Sequence, residues 1–332
     1  MAVPTGTVQT FQQVGIREQL SDAITMISPD ETPFYTMARK GTTKSRTPEW
    51  LRDTLREPSA TNINVEGDDA TGNTQTQPDR LKNVVQLFDE VVIVSDTARA
   101  VETAGRQDEL KYQVAKAGKA LKRDVEMRIT GNYASAVGNA STGSQLGGAE
   151  AWLETNVSRG STGAAGGYNS GTGLVDAATD GTERAYTEAL LKGVIKDVWD
   201  AGGQPTKIMM TGTKKQTAST FAGIATQQNE IQGERRVTVY GAVDLYKSDF
   251  GVHEFVPNRF IGSGTGRTAT NGLYPGSSAL VLTPNTWEVR MLQAWTVTPL
   301  ARTGHAEKRL LKAELTLCCK EERANGAVAD LL

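Results

Sequence analysis

The chain has 332 residues, 38% of them hydrophobic, which is enough to bury a sizeable core and to divide it between two domains. Lys plus Arg number 36 and Asp plus Glu 38, for a net charge of -2, so the basic excess with which a dedicated nucleic-acid binder displaces counterions is missing. The cysteines, Cys318 and Cys319, are adjacent and would point to opposite faces of a strand, and His253 and His305 lack ligand spacing, which excludes a structural disulfide and the usual zinc and iron constellations.

Met1 to Phe11 has neither a basic start nor an apolar run, and no later stretch approaches the roughly 20 apolar residues of a membrane span. No membrane association is expected, and the chain reads as one for the cytoplasm. Thr5 to Gln19 is polar and leads through Leu20, Ile24, Met26 and Ile27 to a segment with Pro29 and Pro33. This reads as an extended arm with one short helix, Ile16 to Met26, ended by the prolines.

From Lys40 to Leu81 the sequence is mostly polar, with Trp50 and Leu51 as its main apolar pair and an acidic tip that carries Glu66, Asp68 and Asp69. Such a segment cannot cover a core of its own. It is either disordered or ordered by lying on a neighbour. Val84 to Val94 is a β-branched alternating run, expected as a strand buried on much of both faces.

Between Arg106 and Thr130, Leu110, Val114, Ala117, Leu121 and Val125 recur at helical spacing with lysines around the remainder. One amphipathic helix of about 37 Å follows, the spine of a domain. Gly131 to Gly181 reads as loops that carry one docked segment, with Trp152 as its anchor. A second helix, Thr187 to Ala201, has Leu190, Leu191, Val194, Ile195, Val198 and Trp199 on one apolar face and stops at Gly202-Gly203.

The remainder reads as a mixed domain and a return to the first. Strands are expected at Lys207 to Thr211, twice between Val237 and Phe255, and at Ala279 to Leu282, with a short helix from Lys214 to Phe221. Trp287 to Leu292 and Glu307 to Lys320 are strand-like and should rejoin the spine helix.

Candidate chemical sites are weak. Gly262-Ser263-Gly264-Thr265-Gly266-Arg267 lacks the Lys-Ser or Lys-Thr ending and the following helix of a phosphate loop, so it reads as a surface loop; a nucleotide-binding enzyme built on it is the reading from a different class. Glu66, Asp68 and Asp69 lack the alternating oxygen ligands of a calcium loop. No serine sits in a nucleophile elbow, His305 reads as a turn or interface residue, and the five tryptophans are too dispersed for a base-stacking platform. Catalytic, cofactor and metal sites are all expected to be absent. A chain of this size with an arm and a long polar excursion fits a protein whose work is contact with copies of itself.

Several stretches carry a resemblance: Thr10-Phe11 with Gly15-Ile16-Arg17-Glu18, Ile27-Ser28-Pro29 with Thr32-Pro33-Phe34, Val65 to Ala70, Gly105-Arg106 with Glu109-Leu110, and Leu121-Lys122-Arg123-Asp124. Downstream are Leu146-Gly147-Gly148, Thr155 to Gly160, Ser248-Asp249-Phe250-Gly251 with Val256-Pro257-Asn258-Arg259, Thr303 to Arg309, and Val328-Ala329-Asp330-Leu331. In this order, and nearly end to end, the chain resembles the tailed-bacteriophage major capsid (major head) protein family.

The resemblance implies an α+β fold shared by tailed phages, herpesvirus capsid floors and encapsulins. Its parts would be an N-terminal arm over 1–36, an extended loop over 37–84, a peripheral domain over 85–202 and 286–332, and an axial domain over 203–285. It implies self-assembly into hexamers and pentamers of an icosahedral head around double-stranded DNA, with a portal protein at one vertex, possible separate scaffolding and decoration proteins, and weak non-specific contact with the packaged DNA. Contacts between subunits are expected at Phe11, Trp50, Leu51, Glu66, Asp68, Asp69, Arg106, Trp152 and Arg159. Some members of the wider fold join subunits by a Lys to Asn isopeptide bond, for which Lys40 or Lys44 is in the right loop, but non-covalent assembly is expected here. An encapsulin-type nanocompartment shell is the alternative within the same fold.

Overall fold

The structure, a computed structural model, describes residues 31–63, 65–69, 72, 77–101, 108–221, 244–261 and 277–332. The expected helix at Ile16 to Met26, most of the arm, Phe11, Arg106 and the Gly262 to Arg267 loop lie outside the described residues.

Helix α1 (Pro33–Met37) begins on a proline, whose missing N–H is one that a first turn does not need, and it buries Phe34. Strand β1 (Arg39–Thr42) follows, then a hairpin of β2 (Glu49–Arg52) and β3 (Asp79–Lys82) with Trp50 opposite Leu81. Strand β4 (Gln86–Ser95) runs into the short helix α2 (Asp96–Ala100).

The spine is α3 (Glu109–Thr130). It starts three residues later than the periodicity suggested because Asp108 caps it, its carboxylate accepting from Leu110 N–H at 3.0 Å. Leu110, Ala117, Leu121, Val125 and Ile129 are its buried stripe.

The segment expected as loops contains the buried turn α4 (Ala149–Trp152), strand β5 (Val157–Ser158) and a small hairpin, β6 (Gly167–Asn169) with β7 (Leu174–Asp176). Helix α5 (Glu188–Asp200) buries Leu191, Val194, Ile195 and Val198 and ends where Gly202 takes φ +88° and Gly203 N–H donates to Val198 O. Trp199, expected on that buried face, is half exposed and packs on the Phe250 ring, with centroids 5.0 Å apart.

After β8 (Lys207–Met210) and α6 (Gly212–Ser219) come β9 (Leu245–Ser248), β10 (Gly251–Pro257) and β11 (Ala279–Leu282). The chain closes with the long pair β12 (Trp287–Pro299) and β13 (Ala306–Cys319), then β14 (Gly326–Val328).

Two main sheets result. One has the order β1-β12-β13-β4, with β13 and β4 in register from Ala306↔Ser95 to Leu315↔Gln86. The spine packs on β4 and β13, as the return of the last strands was expected to produce.

The other sheet has the order β5-β14-β11-β8-β10-β9. It is a wall between two cores. Met209, Leu280 and Leu282 face the cluster that holds the spine, Trp152 and Trp287, whereas Ile208, Met210, Ala279 and Val281 face the cluster that holds α5. The body expected over 203–285 therefore does not complete its own sheet: β5 and α5 come from before it and β14 from after it.

The structure corrects one burial expectation. β4 buries Phe88, Val92 and Val94 but exposes Leu87, Val91 and Ile93, the last by 58%. It is the edge strand, antiparallel to β13, of a sheet that the spine covers on one side only.

Candidate functional site

The site begins at the root of the β2–β3 hairpin. Asn83, fully buried, is the knot that joins three segments. Its amide donates to Leu317 O at 2.7 Å and Gly147 O at 3.2 Å, and its side-chain oxygen accepts from Gly147 N–H and Val84 N–H. Thr316 Oγ1 donates to Val84 O at 2.8 Å. Trp50 packs on Trp152 with centroids 5.6 Å apart and donates its indole N–H to Cys319 O at 2.9 Å. Trp152 stacks in turn on Tyr168. Arg52 pairs with Asp79 at 3.0 Å, and Glu49 with Arg80, across the root.

Beyond that root the hairpin turns outward with its apolar residues uncovered. Leu55 is 97% exposed, and Leu51, Ile63 and Val65 are also exposed. Glu66, Asp68 and Asp69 lie on the exposed tip. Leu87, Val91 and Ile93 on β4 make a second uncovered apolar surface on the sheet face away from the spine.

Two residues expected at subunit contacts are placed inside the chain. Trp152 is 1% exposed and belongs to the first core. The Arg159 side chain is buried among Glu150, Asp180 and Asp330, at 3.2, 3.6 and 3.7 Å. Asp330 also accepts from Gly160 N–H at 2.9 Å, and Ser278 donates to Glu150 at 2.8 Å. Burial pushes the Glu150 carboxyl above the usual range, opposed by Arg159. The stretches around Arg159 and Asp330, both part of the resemblance, thus meet at the β5–β14 pairing.

Sequence reasoning missed Glu126. It sits buried on the spine and accepts from Phe34 N–H at 2.7 Å, Tyr35 N–H at 2.8 Å and the Asn258 amide at 2.7 Å. It ties the start of α1 and the end of β10 to the spine. Burial raises its carboxyl to about 7 against the three donors, and the nearby Lys40 ammonium is brought down to about 8 by its own burial, with Glu126 opposing. The available sequence signal was a carboxylate in the last turns of the spine, where the buried stripe widens.

His253 is also structural: its ring nitrogens face Pro205 O at 2.8 Å and Ser248 Oγ at 2.7 Å. His305 is exposed beside Asp96. Among the described residues no group of three or more His, Cys, Asp or Glu is arranged to hold a metal ion, and no helix is long and apolar enough to cross a membrane. What the geometry offers is a projecting hairpin on a fixed root and two uncovered apolar surfaces, features that act by contact.

Solved structures share this architecture. A Gordonia phage Cozz structure superposes with a TM-score of 0.61 at 11% identity, covering 98% of this chain and 96% of that one. The capsid of a native GTA particle superposes with a TM-score of 0.60 at 9% identity, covering 97% and 98%. The SrpI encapsulin of Synechococcus elongatus PCC 7942 follows at 0.52 and 9%, covering 95% and 92%. The fold is the one used by tailed-phage capsids, a mixed helix and sheet fold for shell building.

The chain belongs to the SU10 major capsid protein family, whose model it matches over residues 3–332. It is also 38% identical over 127 residues to the major capsid protein of Escherichia phage Phieco32; the match spans 38% of this chain and 36% of that relative's length.

Proposed function

We propose that this phage capsid protein builds an icosahedral head from hexamers and pentamers of itself around double-stranded DNA, and that it has no catalytic role. The observation that carries the proposal is the hairpin: a root fixed by Asn83 and Trp50, and beyond it Leu55, Ile63 and Val65 held in solvent. Exposed apolar residues are satisfied by burial against another surface. A subunit that lends such an arm to its neighbours reaches interfaces above roughly 2,000 Å², and closure of the shell multiplies weak contacts.

In this reading 1–36 is the arm, 37–84 the extended loop, 85–202 with 286–332 the peripheral domain and 203–285 the axial domain. Leu51, Glu66, Asp68 and Asp69 are subunit contacts of the loop. Phe11 and Arg106 are contacts of the arm and of the segment before the spine. A portal at one vertex, separate scaffolding and decoration proteins, weak contact with packaged DNA and assembly in the host cytoplasm complete the proposal. Membership in a phage capsid family favours this over an encapsulin-type compartment.

The test removes Thr54 to Pro78 and joins β2 to β3 by a short turn, which keeps Trp50 on Trp152. The expected product folds, with unchanged circular dichroism, and forms no shells by electron microscopy. Shells of normal size from this variant would sink the proposal.

A further inference from the structure

The solvent face of the spine carries a row of cations. Lys111, Lys116, Lys119, Lys122 and Arg123 fall within an arc of about 140° on α3 and along about 18 Å of its axis. Between Lys111 and Arg123 the helix carries no carboxylate: Glu109 precedes this stretch, Asp124 and Glu126 follow it, and Glu126 is occupied inside by α1 and Asn258. The four lysines are exposed. Lys111, Lys116 and Lys122 have no carboxylate partner among the described residues, unlike Lys192, Lys196 and Lys207, which pair with Glu188, Asp200 and Glu254. A chain of net charge -2 has thus gathered cations on one face of its longest helix.

We propose that this lysine arc is the surface on which the subunit meets the phosphodiester backbone of the enclosed duplex DNA. The inference rests on the shell reading above. Lysines are compact point charges without the planar fork that reads base edges, and the arc offers no aromatic side chain free to stack, since Tyr112 is engaged within the chain. Both properties fit a contact that is electrostatic and indifferent to sequence. A single subunit engages about three phosphates through Lys111, Lys116 and Lys122, so its affinity falls roughly 40-fold between about 50 and 200 mM salt. The wall as a whole acts through many such weak contacts, which hold DNA without fixing it.

The experiment measures fluorescence anisotropy of a labelled duplex with the full, unassembled chain across that salt range. It compares wild type, the variant Lys111→Gln/Lys116→Gln/Lys122→Gln, and the control Lys192→Gln/Lys196→Gln/Lys207→Gln, which loses the same charge elsewhere. The expected result is a steep salt dependence in wild type and control and a change of less than about 3-fold in the arc variant. Equal loss in the arc and control variants would overturn the proposal, because net charge alone would then explain binding. So would polyglutamate that displaces the duplex at equal charge, which would make the arc a seat for an acidic protein. Shell formation scored in parallel separates the two readings: no shells from wild type counts against the shell, whereas shells with unaltered DNA binding in the arc variant count against the arc alone.

Discussion

Glu126 and Arg159 are the residues on which the chain's distant parts are tied, and each has a consequence in solution. The Glu126 carboxyl titrates at about 7 in the folded chain against 4.5 in its absence. Between those values the native state holds more protons than the unfolded one, so stability falls as pH rises through the window, by at most about 3 kcal/mol. Lys40 is the charged group that faces it. In Glu126→Gln this segment of the pH dependence should disappear: the urea midpoint of wild type should fall relative to that of the variant as pH rises from 4.5 to 8. Parallel curves would show that the carboxyl does not titrate there. Arg159→Met leaves Glu150 and Asp330 buried without their cation and is expected to cost about 3 to 5 kcal/mol, read by thermal unfolding. A loss within about 0.5 kcal/mol, typical of a surface site, would place Arg159 outside the core network.

Neither tie was legible in the sequence, because both join residues far apart in the chain and neither follows a helical or strand period. Arg159 and Trp152 were noticed as polar and aromatic marks inside a glycine-rich stretch and assigned to contacts between subunits. Burial, which decides the matter for the single chain, depends on Trp50 and Asp330 arriving from elsewhere.

At the scale of elements the pattern was more informative. The spine was legible because its apolar stripe repeats over five turns, and β8 and β11 because short apolar runs bounded by Pro, Gly or Thr leave little choice but a buried strand. The two faces of β4 were not distinguishable, since Leu87, Val91 and Ile93 are as apolar as Phe88, Val92 and Val94. The difference is that the spine covers one set and nothing within the described chain covers the other. This argues that the uncovered face is an assembly surface. Leu87→Gln with Ile93→Thr should change subunit stability by no more than about 0.5 kcal/mol while lowering shell yield by electron microscopy. A variant that fails to fold would instead assign this face to the chain's own core.

At the scale of the whole molecule, a near-neutral chain with a projecting hairpin is a part made for a shell. Its lack of basic excess has a direct correlate: isolated subunits should bind duplex DNA only weakly at physiological salt, and nanomolar binding in a filter assay would contradict the account. The six-stranded sheet recruits strands from both sides of the body expected over 203–285.

The most direct test is electron microscopy of the purified full chain at high concentration, alone and with any scaffold candidate encoded beside it. Closed shells, capsomer rings or tubes are the expected result. Inert monomers under every condition, with the hairpin intact and the fold verified by circular dichroism, would contradict self-assembly as the work of this chain.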